Sequence, residues 1–217
     1  SILRHSTAHL LAQAVLNLFP GTQYGVGPDI QDGFYYDFLF EQTISDEDLP
    51  KIEKEMKRLA AEKQSFSKSF IDKSQALNIF KNQKFKIELI NTADATEGVD
   101  ADQVSVYSNN DFLDLCRGPH VPHTGFIKHF KLTRLGGAYW RGDEDNPQLQ
   151  RIYGTSWFTD DDLQYCMNCH NVSCDWVEDD NIKEENEEGE YNERLCPECK
   201  STAYFTATEE EIKEYAY

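Results

Sequence analysis

The stretch HSTAHLLAQAVLNLFPG, residues 5–21, belongs to a helical pattern that starts near Ile2 and is stopped by Pro20-Gly21. At 100° per residue, Ser6, Gln13 and Asn17 gather into one narrow polar stripe, and Leu11, Ala14, Val15 and Leu18 fill the opposite side. His5 and His9 fall on the arc flanked by Ala12 and Leu16, one turn apart and off the polar stripe. Both imidazoles are therefore expected to point into the protein, where rings at i and i+4 can share one metal, one water or one substrate. The metalloprotease form of this spacing needs Glu after the first His. Ser6 stands there, which excludes that chemistry.

Outward from this helix the chain mixes strands and helices. Residues 33–40, GFYYDFLF, are aromatic-rich and alternating, and read as a strand paired with QYGVGPDI (23–30) across a turn at QDG. Residues 45–63 carry Ser45 as N-cap, acids in the first turn, and Leu49, Ile52, Met56 and Leu59 at helical spacing. SFSKSFI (65–71) alternates like a strand, and KSQALNIFKN (73–82) reads as a shorter helix. QVSVYSN and DFLDLC flank a turn at Asn109-Asn110, and GFIKHFKLTRLGGAYW and LQRIYGTSWF complete the sheet. Gly136-Gly137 is expected to make a tight bend beside a packed Tyr139-Trp140 pair. Without strict βαβ alternation, the expectation is an α+β domain with a largely antiparallel sheet packed with helices.

Composition bounds the alternatives. The 217 residues are 39% hydrophobic and 12% aromatic, ordinary for a globular chain. No apolar run approaches the roughly 20 residues that span a bilayer, so no membrane association is expected. The net charge of −18 is uneven: residues 161–217 hold 17 acids and 4 bases, leaving 22 and 17 before them. That asymmetry marks a boundary near residue 160. It also argues against broad electrostatic binding of nucleic acid, while a local basic patch in the first part stays open. Six cysteines include two CxxC pairs, better read as thiolate ligands in a reducing cytoplasm than as disulfides.

The second unusual stretch is DLCRGPH, residues 114–120. Asp114, Cys116 and Arg117 crowd into a turn stiffened by Gly118-Pro119, which presents polar groups at a strand end. Either CxxxH or HxxxH alone is weak evidence of chemistry.

Taken in order, HSTAH, GFYYDF, DLCRGPH, GAYWRGD and LQRIYGTSW resemble the editing domain of threonyl-tRNA synthetases, over about Ile2 to Trp157. The resemblance implies hydrolysis of the ester in mischarged Ser-tRNA(Thr), with a water activated in a polar cleft. It implies catalytic roles for His5, His9, Asp114, Cys116 and His120, with Lys86 of FKIELI as the matching lysine. On it, Tyr36 packs near the terminal adenosine and the tRNA acceptor end is the partner. An imidazole can take or position the water's proton, Asp114 can hold the seryl ammonium, and Lys86 can stabilise developing negative charge. Arg117 and Arg141, the latter with Lys131 and Arg134, are candidate contacts to substrate, since aromatics beside cations suit single-stranded CCA. Serine lacks threonine's methyl, a difference a synthetic pocket separates by only roughly 1–3 kcal/mol, so a second, hydrolytic sieve is needed. The three imidazoles and one thiolate are also a reasonable Zn²⁺ ligand set, and the related alanyl type of editing stays open. So does a non-catalytic tRNA- or protein-binding module.

Cys166-x2-Cys169 and Cys196-x2-Cys199, with 26 residues between, read as a structural Zn²⁺ site in a small ribbon. The expected organisation is an editing unit over 1–160 and an acidic zinc-ribbon-like unit over 161–217. A synthetase or ribosomal surface is a candidate partner for the acidic part. With no adenylate-forming segment in the sequence, editing in trans in the cytoplasm is the expectation.

Overall fold

The computed structural model describes residues 1–92 and 102–163, and Ser1–Phe158 form one compact unit. The four ribbon cysteines lie outside the described residues. Helix α1 (Ile2–Leu18) runs through the middle of this unit and is buried on almost every side. It packs on α2 (Leu49–Ala61), on strand β3 (Gly33–Leu39) and on β8 (Gln148–Trp157). Most of the polar stripe is not a solvent face: Ser6 is 0% and Gln13 5% exposed, and Asn17 alone of the three is exposed. The buried groups find partners instead of water. Asn109 Nδ2 donates to Gln13 Oε1 at 2.7 Å, and Gln13 Nε2 donates to Gln64 Oε1 at 3.0 Å. A buried amide that is hydrogen-bonded is tolerated where an orphan would cost about 1–3 kcal/mol.

Two antiparallel sheets flank this helix layer rather than one. The larger orders β1 (Gln23–Tyr24), β3, β8 and β7 (His129–Tyr139), with β2 (Asp29–Ile30) also on β3. The smaller joins β4 (Ser67–Asp72), β5 (Gln103–Asn109) and β6 (Phe112–Leu115). Two short helices, α3 (Lys73–Ile79) and α4 (Lys84–Asn91), lie between β4 and β5 in the chain. The expected α+β class with antiparallel strands is thus found. The inner face of β3 alternates as its sequence does, burying Phe34, Tyr36 and Phe38 against α1. The Ser45 capping box is present, with Asp48 accepting from the Ser45 backbone at 2.9 Å.

Gly136 and Gly137 differ from the expected bend: both lie inside the long strand β7, paired with Arg151 and Gln150. The turn comes later, at Trp140–Gly142, where Trp140 is buried against Phe85 and Tyr139 is exposed. The irregularity in β7 sits at Leu132/Arg134, where the register against β8 shifts. The buried Glu53 of α2 closes it, accepting from the Leu132 backbone N–H at 2.8 Å and from Lys131 Nζ at 3.0 Å. Glu53→Ala would strand that N–H, so unfolding free energy should fall by about 1–3 kcal/mol in urea titration. An unchanged midpoint would show the bulge does not need this carboxylate.

Candidate functional site

One cleft, of about 330 Å³, brings together the ends of α1, α4 and β6. His5 and His9 reach it from the start of α1, Lys86 from α4, Asp114 and Leu115 from β6, and Cys116 to Gly118 from the turn after β6. Tyr36 of β3 and the loop residues Val26, Gly27 and Pro28 close the other wall. That turn takes its shape from Gly118, at φ +73°, and a cis bond to Pro119. A Cβ at Gly118 would lie 2.3 Å from the Tyr107 hydroxyl, so glycine is required twice, by conformation and by space.

The two sequence-distant pairs do converge. His5 Nε2 lies 3.0 Å and His120 Nε2 3.2 Å from Cys116 Sγ, which also accepts from the Gly118 N–H at 3.2 Å. The His120 ring is clamped between His5 (centroids 4.5 Å apart) and Phe66 (4.7 Å, 6° between planes). His9 meets both other imidazoles edge-on and has Asp114 Oδ2 3.8 Å from its Nε2, too far for a hydrogen bond. The ligand atoms of His5, His9, Cys116 and His120 lie within 4.8 Å of one another, so the group could bind a metal. A soft sulfur with three imidazoles is a donor set that suits Zn²⁺, and the buried His9 Nδ1 has no hydrogen-bond partner among the described residues.

Burial sets the protonation. Loss of water lowers His5 despite the pull of Asp29, Asp114 and the Gly27 backbone. Desolvation, then His5 and Lys86, holds His9 well below the ordinary range. His120 is pushed down to about 2 by burial and by the other two imidazoles. All three rings are neutral at pH 7. Burial raises Cys116 to about 11, against the hydrogen bond from Gly118, so the sulfur is a thiol.

Beneath the imidazoles lies a buried ion pair between Lys86 and Asp114, both side chains 2% exposed. Lys86 Nζ also donates to the Gly25 carbonyl at 2.6 Å and to the Tyr36 hydroxyl at 3.1 Å. Its three N–H groups are thus engaged, and burial lowers its affinity for the proton while Asp114 raises it. Tyr36 in turn donates to Asp114 Oδ2 at 2.5 Å, and its ring stacks on Phe38. In this arrangement Lys86 orders Asp114 and Tyr36 rather than offering a free donor to the cleft. Arg117 lines the cleft with an exposed side chain. Arg141 does not line it: its guanidinium pairs with Glu88 at 2.8 Å and bonds Thr92 at 3.0 Å.

Sequence reasoning passed over Ser6, Gly27 and Lys68. Gly27 presses on Tyr36 so closely that a Cβ would fall 2.0 Å from its ring. Lys68 of β4 donates to the Arg117 carbonyl at 2.9 Å and hangs over Tyr107, adding a cation beside Cys116. Glycine punctuation in QYGVGP was the available signal for the first. For Lys68 there was none, because strand pairing with β5 makes the proximity.

The chain is similar in sequence to known proteins. Residues 104–153 match the family described as "Threonyl and Alanyl tRNA synthetase second additional domain", a span holding Asp114, Cys116 and His120. The chain is 48% identical over 169 residues to the "Threonine--tRNA ligase" of Francisella tularensis subsp. novicida (strain U112), which is 77% of this chain and 26% of that protein. The same figures hold for that ligase in F. tularensis subsp. tularensis (strain SCHU S4). The chain spans about a quarter of the length of the curated relatives it matches. Motif order and these matches together show that the chain carries a unit like the editing domain of threonyl-tRNA synthetases.

Proposed function

We propose that this chain hydrolyses the ester bond of mischarged Ser-tRNA(Thr), releasing serine from the acceptor end. The observation that carries the reading is the convergence of His5, His9, Asp114 and Cys116 on one cleft. Its volume accommodates an aminoacyl ester, and every group that lines it lies within Ser1–Phe158. The unit can therefore act in trans on tRNA charged elsewhere, in the cytoplasm. No helix of the described residues is long and apolar enough to cross a membrane.

Of the three imidazoles, His5 alone is both partly exposed and a lining group of the cleft, so we assign it the water's proton. Asp114, a carboxylate with lone pairs beyond those given to Lys86 and Tyr36, anchors the seryl ammonium. Cys116 as a thiol is a poor nucleophile, which favours direct attack by water over a thioester. Arg117 and Lys68 at the mouth supply positive charge for the acceptor-end phosphates. Zn²⁺ held by His5, His9, Cys116 and His120 would supply Lewis acidity beside the cleft, and would lower the pKa of a water only where one position stayed open to it; the alanyl type of editing is the second reading that this donor set favours. The acidic segment 161–217 we propose as a separate unit, its cysteines 166, 169, 196 and 199 holding a structural zinc that presents the acids to a basic partner.

The deciding experiment compares release of serine from Ser-tRNA(Thr) with release of threonine from Thr-tRNA(Thr), with metal content measured on the same sample. Serine should be released well above the buffer rate and threonine should not. The double variant His5→Ala, Cys116→Ala should lose roughly 100-fold or more; full activity in it would leave a binding module as the better account. The acid limb of kcat/KM gives a separate check. Because burial lowers His5, the neutral base persists as pH falls and the rate should decline only below pH 6.5. A limb centred above 6.5 would remove His5 from that role.

A further inference from the structure

Ser6 occupies the position after the first histidine of HSTAH, and no step proposed so far uses it. Its hydroxyl is 0% exposed and has three neighbours. Ser6 Oγ donates to the Ile2 carbonyl at 2.8 Å, accepts from the Val121 N–H at 3.0 Å, and lies 3.0 Å from His120 Nδ1. A hydroxyl has one proton, and here it is given to Ile2. The contact to His120 is then a hydrogen bond only if Nδ1 carries the proton; otherwise two lone pairs would face each other in a dry site.

We propose that Ser6 is a positioning residue that holds His120 in its Nδ1–H tautomer, keeping the bare Nε2 aimed at the Cys116 sulfur. Turning the ring over would give up both the Ser6 contact of Nδ1 and the Cys116 contact of Nε2. Phe66 and His5 cover its two faces and Tyr107 meets it edge-on at 4.4 Å, so its plane is fixed. The consequence is a proton count. Cys116 Sγ lies within reach of Nε2 on both His5 and His120 but has a single proton to donate. With Nε2 of His120 bare, the thiol proton has an acceptor there. Any use of that proton relay in hydrolysis rests on the reading above; the tautomer does not.

The test uses the full chain, treated with a chelator so that no metal sets the tautomer, with ¹⁵N-labelled histidine. Long-range ¹⁵N–¹H correlation spectra assign the protonated nitrogen of His120, identified by the signal lost in His120→Asn. Wild type and Ser6→Thr, which keeps the hydroxyl, should both show a protonated Nδ1 and a bare Nε2. Ser6→Ala should show a mixture of tautomers. In deacylation of Ser-tRNA(Thr), Ser6→Ala should lose about 10-fold in kcat with KM little changed, and Ser6→Thr should recover most of it. A proton on Nε2 in the wild type overturns the inference even if Ser6→Ala fails to fold, and so does an unaltered tautomer in folded Ser6→Ala. If the tautomers behave as stated but wild type releases no serine, the positioning role of Ser6 stands and the hydrolytic reading fails.

Discussion

The pairing of Lys86 with Asp114 is the constraint around which the cleft is arranged. Two opposite charges sit almost fully buried at the floor of the cleft, and each is satisfied mainly by protein. Satisfying the ammonium recruits the Gly25 carbonyl and the Tyr36 hydroxyl, and Tyr36 then returns a hydrogen bond to the carboxylate. Helix α4, the loop after β1, strand β3 and strand β6 are thereby bound at one point. Removing one partner of such a pair leaves an uncompensated buried charge, a loss of about 3–5 kcal/mol. The pair therefore shapes the floor of the cleft before any substrate arrives.

Above that floor the environment is set by what burial does to four titratable groups. The same desolvation that keeps three imidazoles neutral keeps the sulfur protonated. Neutral imidazoles accept protons, whereas a protonated thiol does not attack carbonyl carbon. One physical cause thus favours a water-based hydrolysis and disfavours a covalent one. The Asp114 carboxylate, held by Lys86 and Tyr36, adds an acceptor to a wall otherwise made of neutral imidazoles, the thiol and two cationic side chains, Lys86 and Arg117.

Much of this was readable in the sequence, for reasons that differ between elements. Helical spacing places His5 and His9 together because that geometry is local. The alternation in GFYYDF gives the strand and its buried face for the same reason. Resemblance in motif order, not spacing, supplied the partnership of His5 with Cys116, since nothing local links residues 111 positions apart. The fate of Ser6 and Gln13 in the polar stripe was hidden: a polar stripe predicts water, which only Asn17 meets, and the tertiary amides of Gln64 and Asn109 explain why Gln13 is buried. Gly136-Gly137 misled because glycine pairs mark bends and also fit close-packed strands, where Tyr153 crowds the first and Gln148 the second. The engagement of all three Lys86 donors, and so the difference between a free cation and a braced one, is a fact of packing that composition does not carry.

Gly27 gives the cleft an unusual kind of wall. Main chain, with no side chain of its own, rests flush on the Tyr36 ring at that rim. A rim made of side chains can widen by a change of rotamer, but one made of peptide groups backed by a buried aromatic cannot. Its gauge is accordingly fixed by the fold. An opening of that sort would sort small ligands by rigid steric fit, and no single added methyl at residue 27 could narrow it without displacing the tyrosine that braces Asp114.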